Sequence, residues 1–460
     1  ELTDDVAIAL LRSTVRFLAH ADSPVRCRVF DPASAKAGWD SPYTTIESHL
    51  TDRPFIVDTV RIFLADMDLA TQHVLHPIFG VERGPGGELV RLGPPGGART
   101  RESLVHCAVE KVPEADLPRL ESELRDRLEE LRLATDDHPK MLERLASVRD
   151  ETLAHAGAFA TRKDEIDEIV AFLDWFAHGG FVFLGARSVS IAREGGRVAF
   201  EIDHGSGLGI LRREDRSTYA TRRWIDDVPP AVAERMTGGP LLTIARTTAE
   251  SRIHRKAQMD YVGIKRFDAT GTVVGEHRFL GLFTSKAYAE EPAQMPILRR
   301  KLQRIIADEG VFAESHDWKE IVSIFNSIPK PELLTLSVDE LRADIRAILS
   351  VQGTDEIRVT FRPDALGRGL SVMVILPRDR YSEEVRWDVG AILEQRLHGR
   401  LIDDELALGE EESQARLHFY VATSVTLPDA LAAELEREIA ARVRTWDDRL
   451  RERIIAAYPG

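Results

Sequence analysis

Two stretches of this chain, roughly 330 residues apart, carry the same order of secondary-structure signals, and that order admits few folds. The later copy is the cleaner. After a helical pattern over 338–351, the residues at 357–362 alternate strictly, with Ile357, Val359 and Phe361 on one face and Arg358, Thr360 and Arg362 on the other. The turn Pro363-Asp364-Ala365-Leu366-Gly367 leads to a strand at 369–376, a helix at 382–398 and strands at 402–408 and 415–422. Asp429 then opens a helix with Leu431, Leu435, Ile439, Val443, Trp446 and Leu450 on one stripe. The earlier copy follows an amphipathic helix around 5–19. It has strands at 26–30 and 43–50, a helix at 55–67, strands at 70–82 and 102–110 around a Gly/Pro-rich loop at 84–97, and a Leu-striped helix after Pro113. Both read ββαββα, a rotation of the split βαβ (ferredoxin-like) plan, in which one antiparallel sheet carries two helices on one face.

Between the copies the pattern is less regular. A helix at 164–177 breaks at Gly179-Gly180, the strand Phe181-Val182-Phe183-Leu184 follows, and further strands read at 241–246, 259–267 and 273–284 before a helix at 296–309. This predicts a mixed sheet, with helical linkers near 135–160 and 311–335. At about 150 residues per domain, a chain of 460 residues accommodates three units, placed at 1–150, 151–330 and 331–460. The expected class is α+β, with tandem ferredoxin-like antiparallel sheets joined by helical linkers.

Composition narrows the function. The net charge of −15 offers no general surface for nucleic acid or anionic membrane. Arg299-Arg300-Lys301 reads as a solvated helix face. No apolar run approaches the ~20 residues of a membrane-spanning helix, and no signal peptide is evident. Cys27 and Cys107, each in a short apolar run, read as reduced core thiols of a cytoplasmic protein. The chain starts at Glu1, and its last helical pattern stops abruptly at Gly460; both ends read as cut from something longer.

Catalytic motifs are weak. Gly205-Ser206-Gly207-Leu208-Gly209 lacks the G-x-G-x-x-G spacing of a dinucleotide cradle and reads as a flexible loop. Ser315-His316-Asp317 places three consecutive side chains in different directions, unlike a catalytic triad. His73 and His76 fall in a strand rather than on a helix face, so no metal site is expected. Glu410-Glu411-Glu412 reads as a solvated hairpin loop.

Two strand-to-helix turns carry more. In TDRPFIVDTVRIFLADM (51–67), Thr51 or Asp52 can cap the helix and Pro54 suits its first turn, which leaves Arg53 free for a ligand. In Pro377-Arg378-Asp379-Arg380-Tyr381, two arginines stand at a helix mouth where amides and the dipole favour an anion, and they could clamp a carboxylate. The candidate effector-binding residues are therefore Asp52, Arg53, Pro54, Arg378, Asp379 and Arg380; the plain alternative is a pair of capped, ion-paired turns.

The turn Asp52-Arg53-Pro54 entering its helix resembles the ACT domain, a ferredoxin-like regulatory module. FLDWFAHGGFVFLGAR (172–187), MDYVGIKRFDATGTVVGEHRFLGLFTSKAY (259–288) and FRPDALGRGLSVMVILPRDRY (361–381) together resemble the amino-terminal region of the large bacterial NAD-specific glutamate dehydrogenases. The resemblance implies three ACT-like modules that regulate and assemble a cytoplasmic homo-oligomer. Catalysis, with NAD as hydride acceptor, would belong to a C-terminal domain outside these residues, and an amino acid is the implied effector. The residues agree: no nucleotide cradle and no lysine in a recognisable catalytic setting occurs, so neither a catalytic residue nor a cofactor is expected here. Phe55 stands where many amino-acid-binding ACT domains have Gly, a departure at the first module. A stand-alone amino-acid sensor and a ligand-free scaffold are the rival readings.

Overall fold

The computed structural model describes residues 4–35, 37–96, 100–155, 162–214, 221–228, 230–363, 369–408, 414–425 and 427–443, with Leu450, Ile454 and Ala457. The turn at 364–367, the acidic run at 410–412 and Trp446 lie outside the described residues.

The first unit runs α1 (Asp4–Leu18), β1 (Val25–Phe30), β2 (Thr44–Thr51), α2 (Ile56–Asp66), β3 (Thr71–Leu75), β4 (Ile78–Arg83), β5 (Leu89–Gly93), β6 (Thr100–Val109) and α3 (Leu117–Asp136). Its sheet is ordered β1-β2-β6-β4-β5, with β3 also on β6, and every pair is antiparallel. The single strand expected over 70–82 is thus two, broken at His76-Pro77. Proline has no N–H for the ladder, and there the Leu104 amide donates to the Pro77 carbonyl at 3.1 Å instead. The loop expected at 84–97 contributes β5, which extends the edge. Helix α2 begins at Ile56 with Phe55 at its N-cap and no side-chain cap, so the capping role expected of Thr51 or Asp52 is corrected, and Pro54 lies in the turn before the helix.

The middle unit runs α4 (His138–Ala154), α5 (Lys163–Trp175), β7 (Phe181–Glu194), β8 (Arg197–Ile202), β9 (Leu208–Gly209), β10 (Arg223–Trp224), α6 (Pro230–Thr237), β11 (Leu242–Glu250), β12 (Gln258–Phe267) and β13 (Val273–Phe283). A helical stretch follows: α7 (Ser285–Ala289), α8 (Leu298–Glu309), α9 (His316–Ser327), α10 (Lys330–Thr335) and α11 (Val338–Ser350). The sheet is ordered β10-β8-β7-β13-β12-β11, with β9 on β7. The mixed sheet expected here is corrected: all its described pairings are antiparallel, three of them (β7–β8, β11–β12 and β12–β13) between strands consecutive in the chain, while α6 carries the chain from β10 at one edge to β11 at the other. The glycine run at 205–209 is pinned rather than flexible. Gly209 pairs with Gly185 at φ 58, where a Cβ would lie 2.1 Å from the Leu184 carbonyl oxygen, and its amide donates to buried Asp137 at 2.9 Å.

The last unit, β14 (Arg358–Pro363), β15 (Gly369–Pro377), α12 (Glu383–Arg396), β16 (Arg400–Leu408), β17 (Gln414–Ala422) and α13 (Asp429–Val443), forms an antiparallel sheet ordered β14-β15-β17-β16. With β3 and β4 counted as one broken strand, first and last sheets share the order first-second-fourth-third. That is the permuted ferredoxin-like plan read from the sequence.

The layers stack. Leu124, Leu128 and Leu131 of α3 are fully buried because α3 packs on Cys27 and Val105 of the first sheet and meets Leu184, Met259 and Leu282 of the middle sheet on its other side. The opposite face of the middle sheet (Phe181, Phe183, Val262, Phe279) packs on α4, α5 and the helical stretch. That stretch in turn receives Met373 and Ile375 of β15, while Val372 and Val374 face α12 and α13. Helices α2 and α3, and α12 and α13, do lie on single faces of their sheets. The other faces are covered as well, by α1 and by the helical stretch.

Candidate functional site

The two predicted turns occupy the same place in the repeat, β2 to α2 and β15 to α12. The first is already committed inside the protein. The Arg53 side chain turns onto the last turn of α3, donating to the Arg132 carbonyl at 3.3 Å, Thr135 Oγ1 at 2.8 Å and Asp136 Oδ1 at 2.7 Å. A cation belongs at a helix C-terminus, where carbonyls lack partners. Asp52 pairs with Arg101 at 2.9 Å. Pro54 is exposed. Phe55 sits at φ 70, its ring 4.4 Å from that of His254 in the middle unit, so the departure from glycine serves a contact between units. At the second turn, Arg378 and Asp379 are exposed in one turn of 3-10 helix, and Arg380 donates to the Asp355 carbonyl at 3.2 Å. Helix α12 is capped by Ser382, which accepts the Val385 amide.

Histidine–carboxylate pairs, which the sequence did not foreshadow, lie on the α1 side of the first sheet. His106 is 2.8 Å from Glu47 and His49 is 2.6 Å from Glu102, each carboxylate also held by an arginine, Arg28 or Arg83. Burial raises the Glu102 carboxyl, but Arg83 and His49 outweigh it and hold it at about 2. These groups are buried and ion-paired, which suits a structural tie. Ser315 is the N-cap of α9, accepting from the Trp318 amide at 3.2 Å, and so is no nucleophile partnered with its neighbours. His316, Asp317 and Glu320 bring ligand atoms within 4.8 Å of one another, but His316 and Asp317 are exposed and the cluster is an ordinary helix surface.

A sizeable recess lies elsewhere. A cleft of about 930 Å³ opens between the start of α5, strand β11, helix α8 and the α10–α11 junction. The basic run on α8, expected to be solvated, helps build it. Arg299 binds Glu168 at 2.9 and 3.1 Å, and the Lys301 amine donates to the carbonyls of Leu333, Leu334 and Leu336 at 2.6–3.1 Å. Three acceptors suit the three donors of an ammonium. Position 301, three residues after Leu298 and four before Ile305, borders the apolar stripe, so its spacing hints at burial, but spacing cannot show the carbonyls arriving from α10.

Asp260 on β12 is a second buried group without a sequence signal. Burial pushes its carboxyl up to about 6, against the Phe283 amide that donates to it at 3.1 Å and the nearby Arg246 and Arg255. Its folded value exceeds the unfolded 3.8. Its contribution to stability is therefore complete below about pH 4 and lost as pH rises through about 6. Asp260→Asn keeps an acceptor for the amide and removes the charge. It is expected to raise unfolding free energy by about 2–3 kcal/mol near pH 8 and by almost nothing near pH 4. Urea unfolding at the two pH values checks this; an equal effect at both would exclude a buried titrating carboxyl.

The comparisons follow the layers. Residues 1–124 match the glutamate dehydrogenase ACT1 domain, 295–354 its helical motif 1 and 358–447 its ACT2 domain. Similar proteins include the NAD-specific glutamate dehydrogenases of Pseudomonas aeruginosa (31% identical over 431 residues) and Halomonas elongata (29% over 435), each match covering 92% of this chain and 26% of the relative. That of Mycobacterium tuberculosis is 26% identical over 462 residues, 96% of this chain and 27% of the relative. The chain spans about a quarter of the length of these curated relatives. Among the described residues no helix is long and apolar enough to cross a membrane. By its two ACT matches, its helical-motif match and these relatives, the chain belongs to the family of the NAD-specific glutamate dehydrogenases.

Proposed function

We propose that these residues are the regulatory and assembly part of an NAD-dependent glutamate dehydrogenase, in units divided near residues 150 and 330. The parent reaction would oxidise L-glutamate with NAD and water to 2-oxoglutarate, ammonia and NADH, on residues and a cofactor site outside this chain. The observation that carries the reading is the coincidence of two permuted ferredoxin-like sheets with the ACT1 and ACT2 matches. The relatives' printed names supply the reaction. An amino-acid effector would act by binding two states of the region with different affinity. A cytoplasmic homo-oligomer is part of the proposal. Ile8, Leu11 and Val15, spaced along α1 and 47%, 64% and 47% exposed, support a role in subunit contacts.

The test is NADH formation from L-glutamate and NAD. A chain in which these residues are joined to the remaining length of a relative is expected to form it, and the 460 residues alone are expected to form none. Turnover by the 460 residues alone would overturn the assignment.

A further inference from the structure

The cleft beside β11 contains charges that the fold leaves unused. Most of its ionic groups are committed: Arg304 to Asp308 at 3.3 Å, Glu165 to Arg162 at 2.7 Å, Asp339 to Arg342 at 3.1 Å, and Glu340 to the amide of its own cap residue, Ser337, at 2.7 Å. Among the described residues, Arg300 on α8, Asp164 on α5 and Glu234 on α6 form no ion pair or side-chain hydrogen bond, although all three line the same recess. Opposite charges that share a cleft without closing on one another leave room for a molecule carrying both signs. A fourth observation is independent of charge. Thr243 of β11 lines the cleft, is 7% exposed, and its buried hydroxyl has no hydrogen-bond partner. Such a group costs about 1–3 kcal/mol unless something satisfies it. Finally, among the described residues β11 is the last strand of its sheet, so one row of its backbone donors and acceptors faces no described strand.

We propose that this cleft binds a zwitterionic α-amino acid, with the Arg300 guanidinium taking the carboxylate and Asp164, aided by Glu234, taking the ammonium. The volume accommodates the charged end and a long side chain together with water. The walls come from two packed layers: β11 with α5 and α6 on one side, and α8 with the α10–α11 junction on the other. A ligand bound there contacts both the middle sheet and the helices that support the last sheet. The proposal rests on the regulatory reading above, and it moves the effector site away from the two strand-to-helix turns.

The twenty common L-amino acids are titrated calorimetrically into the 460-residue chain, and any that binds is compared with its α-amide and its N-acetyl derivative. At least one amino acid is expected to bind, and both derivatives are expected to lose at least tenfold in affinity. Arg300→Ala and Asp164→Asn should each weaken binding at least tenfold, and Arg300→Lys should recover part of the loss. Asp164 is exposed, so its substitution does not threaten the fold, and thermal melting verifies Arg300→Ala. Undiminished binding by both variants overturns the cleft. If Arg378→Ala is then the variant that weakens binding, amino-acid sensing survives while this site does not. Absence of heat with all twenty overturns both.

Discussion

Replacing Phe176 by alanine should cost about 3–5 kcal/mol of stability, among the largest losses available to one core side chain. Phe176 is fully buried at the junction of α5 and β7. Its ring lies 4.3 Å from Phe181, 4.9 Å from Phe183 and 5.4 Å from Phe172, with Phe279 and Phe283 at 6.2 and 6.3 Å. The stretch FLDWFAHGGFVFLGAR is thus a packing motif. Its helix ends in one wide turn, Gly179 reverses the chain at φ 92, and the strand brings two further rings back onto Phe176. Alanine removes the hub of this cluster and leaves a cavity that five other rings, fixed on α5, β7 and β13, cannot refill. Urea unfolding measures the loss, and Trp387→Ala, on a side chain 73% exposed, serves as control with an expected effect within about 0.5 kcal/mol. Equal midpoints for the two variants would mean that the rings do not form one core.

What could be read in the sequence divides along a physical line. Strand alternation and helical stripes report which face of one element is apolar, and they located both permuted sheets, down to the facing of Ile357, Val359 and Phe361 toward α12 and α13. They cannot report what arrives from elsewhere in the chain. Arg53 was available to a ligand only while the C-terminus of α3, about 80 residues on, was unplaced. The same blindness hid the carbonyls that hold Lys301 and made the glycine run a loose loop. The cleft was invisible for that reason too: Asp164, Glu234, Thr243 and Arg300 come from four elements and share no spacing. By contrast, Arg362 was placed on the correct face of β14, and only its partners were missing.

Those partners make Arg362→Met the other large effect expected. Arg362 reaches from β14 into the seam between the last sheet and the helical stretch, where it pairs with buried Asp344 of α11 and lies 3.4 Å from Glu332 of α10. It joins the segment matched to helical motif 1 to the segment matched to ACT2. Burial raises both carboxyls above their ordinary values, and Arg362 is the main opposing influence on each. Methionine fills similar volume but leaves two carboxylates without their cation, a loss of about 3–5 kcal/mol near neutral pH. The sign with pH follows. With the cation gone, the folded carboxyl values rise further above the unfolded ones, so the variant keeps its stability in acid and loses it as pH rises through those values. His418 acts in the same direction. Burial, then Arg362 and Arg416, push its imidazole down to about 3, so in the parent protein stability declines as pH falls below the ordinary histidine range. Loss of Arg362 relieves part of that decline. The deficit of Arg362→Met should therefore be largest near pH 8 and shrink by at least half near pH 5. Adding Glu332→Gln and Asp344→Asn should restore most of the stability at pH 8, because the uncompensated charges rather than the missing contact carry the loss. A deficit that ignores pH, or a triple variant no better than the single one, would mean that the seam is held by packing alone.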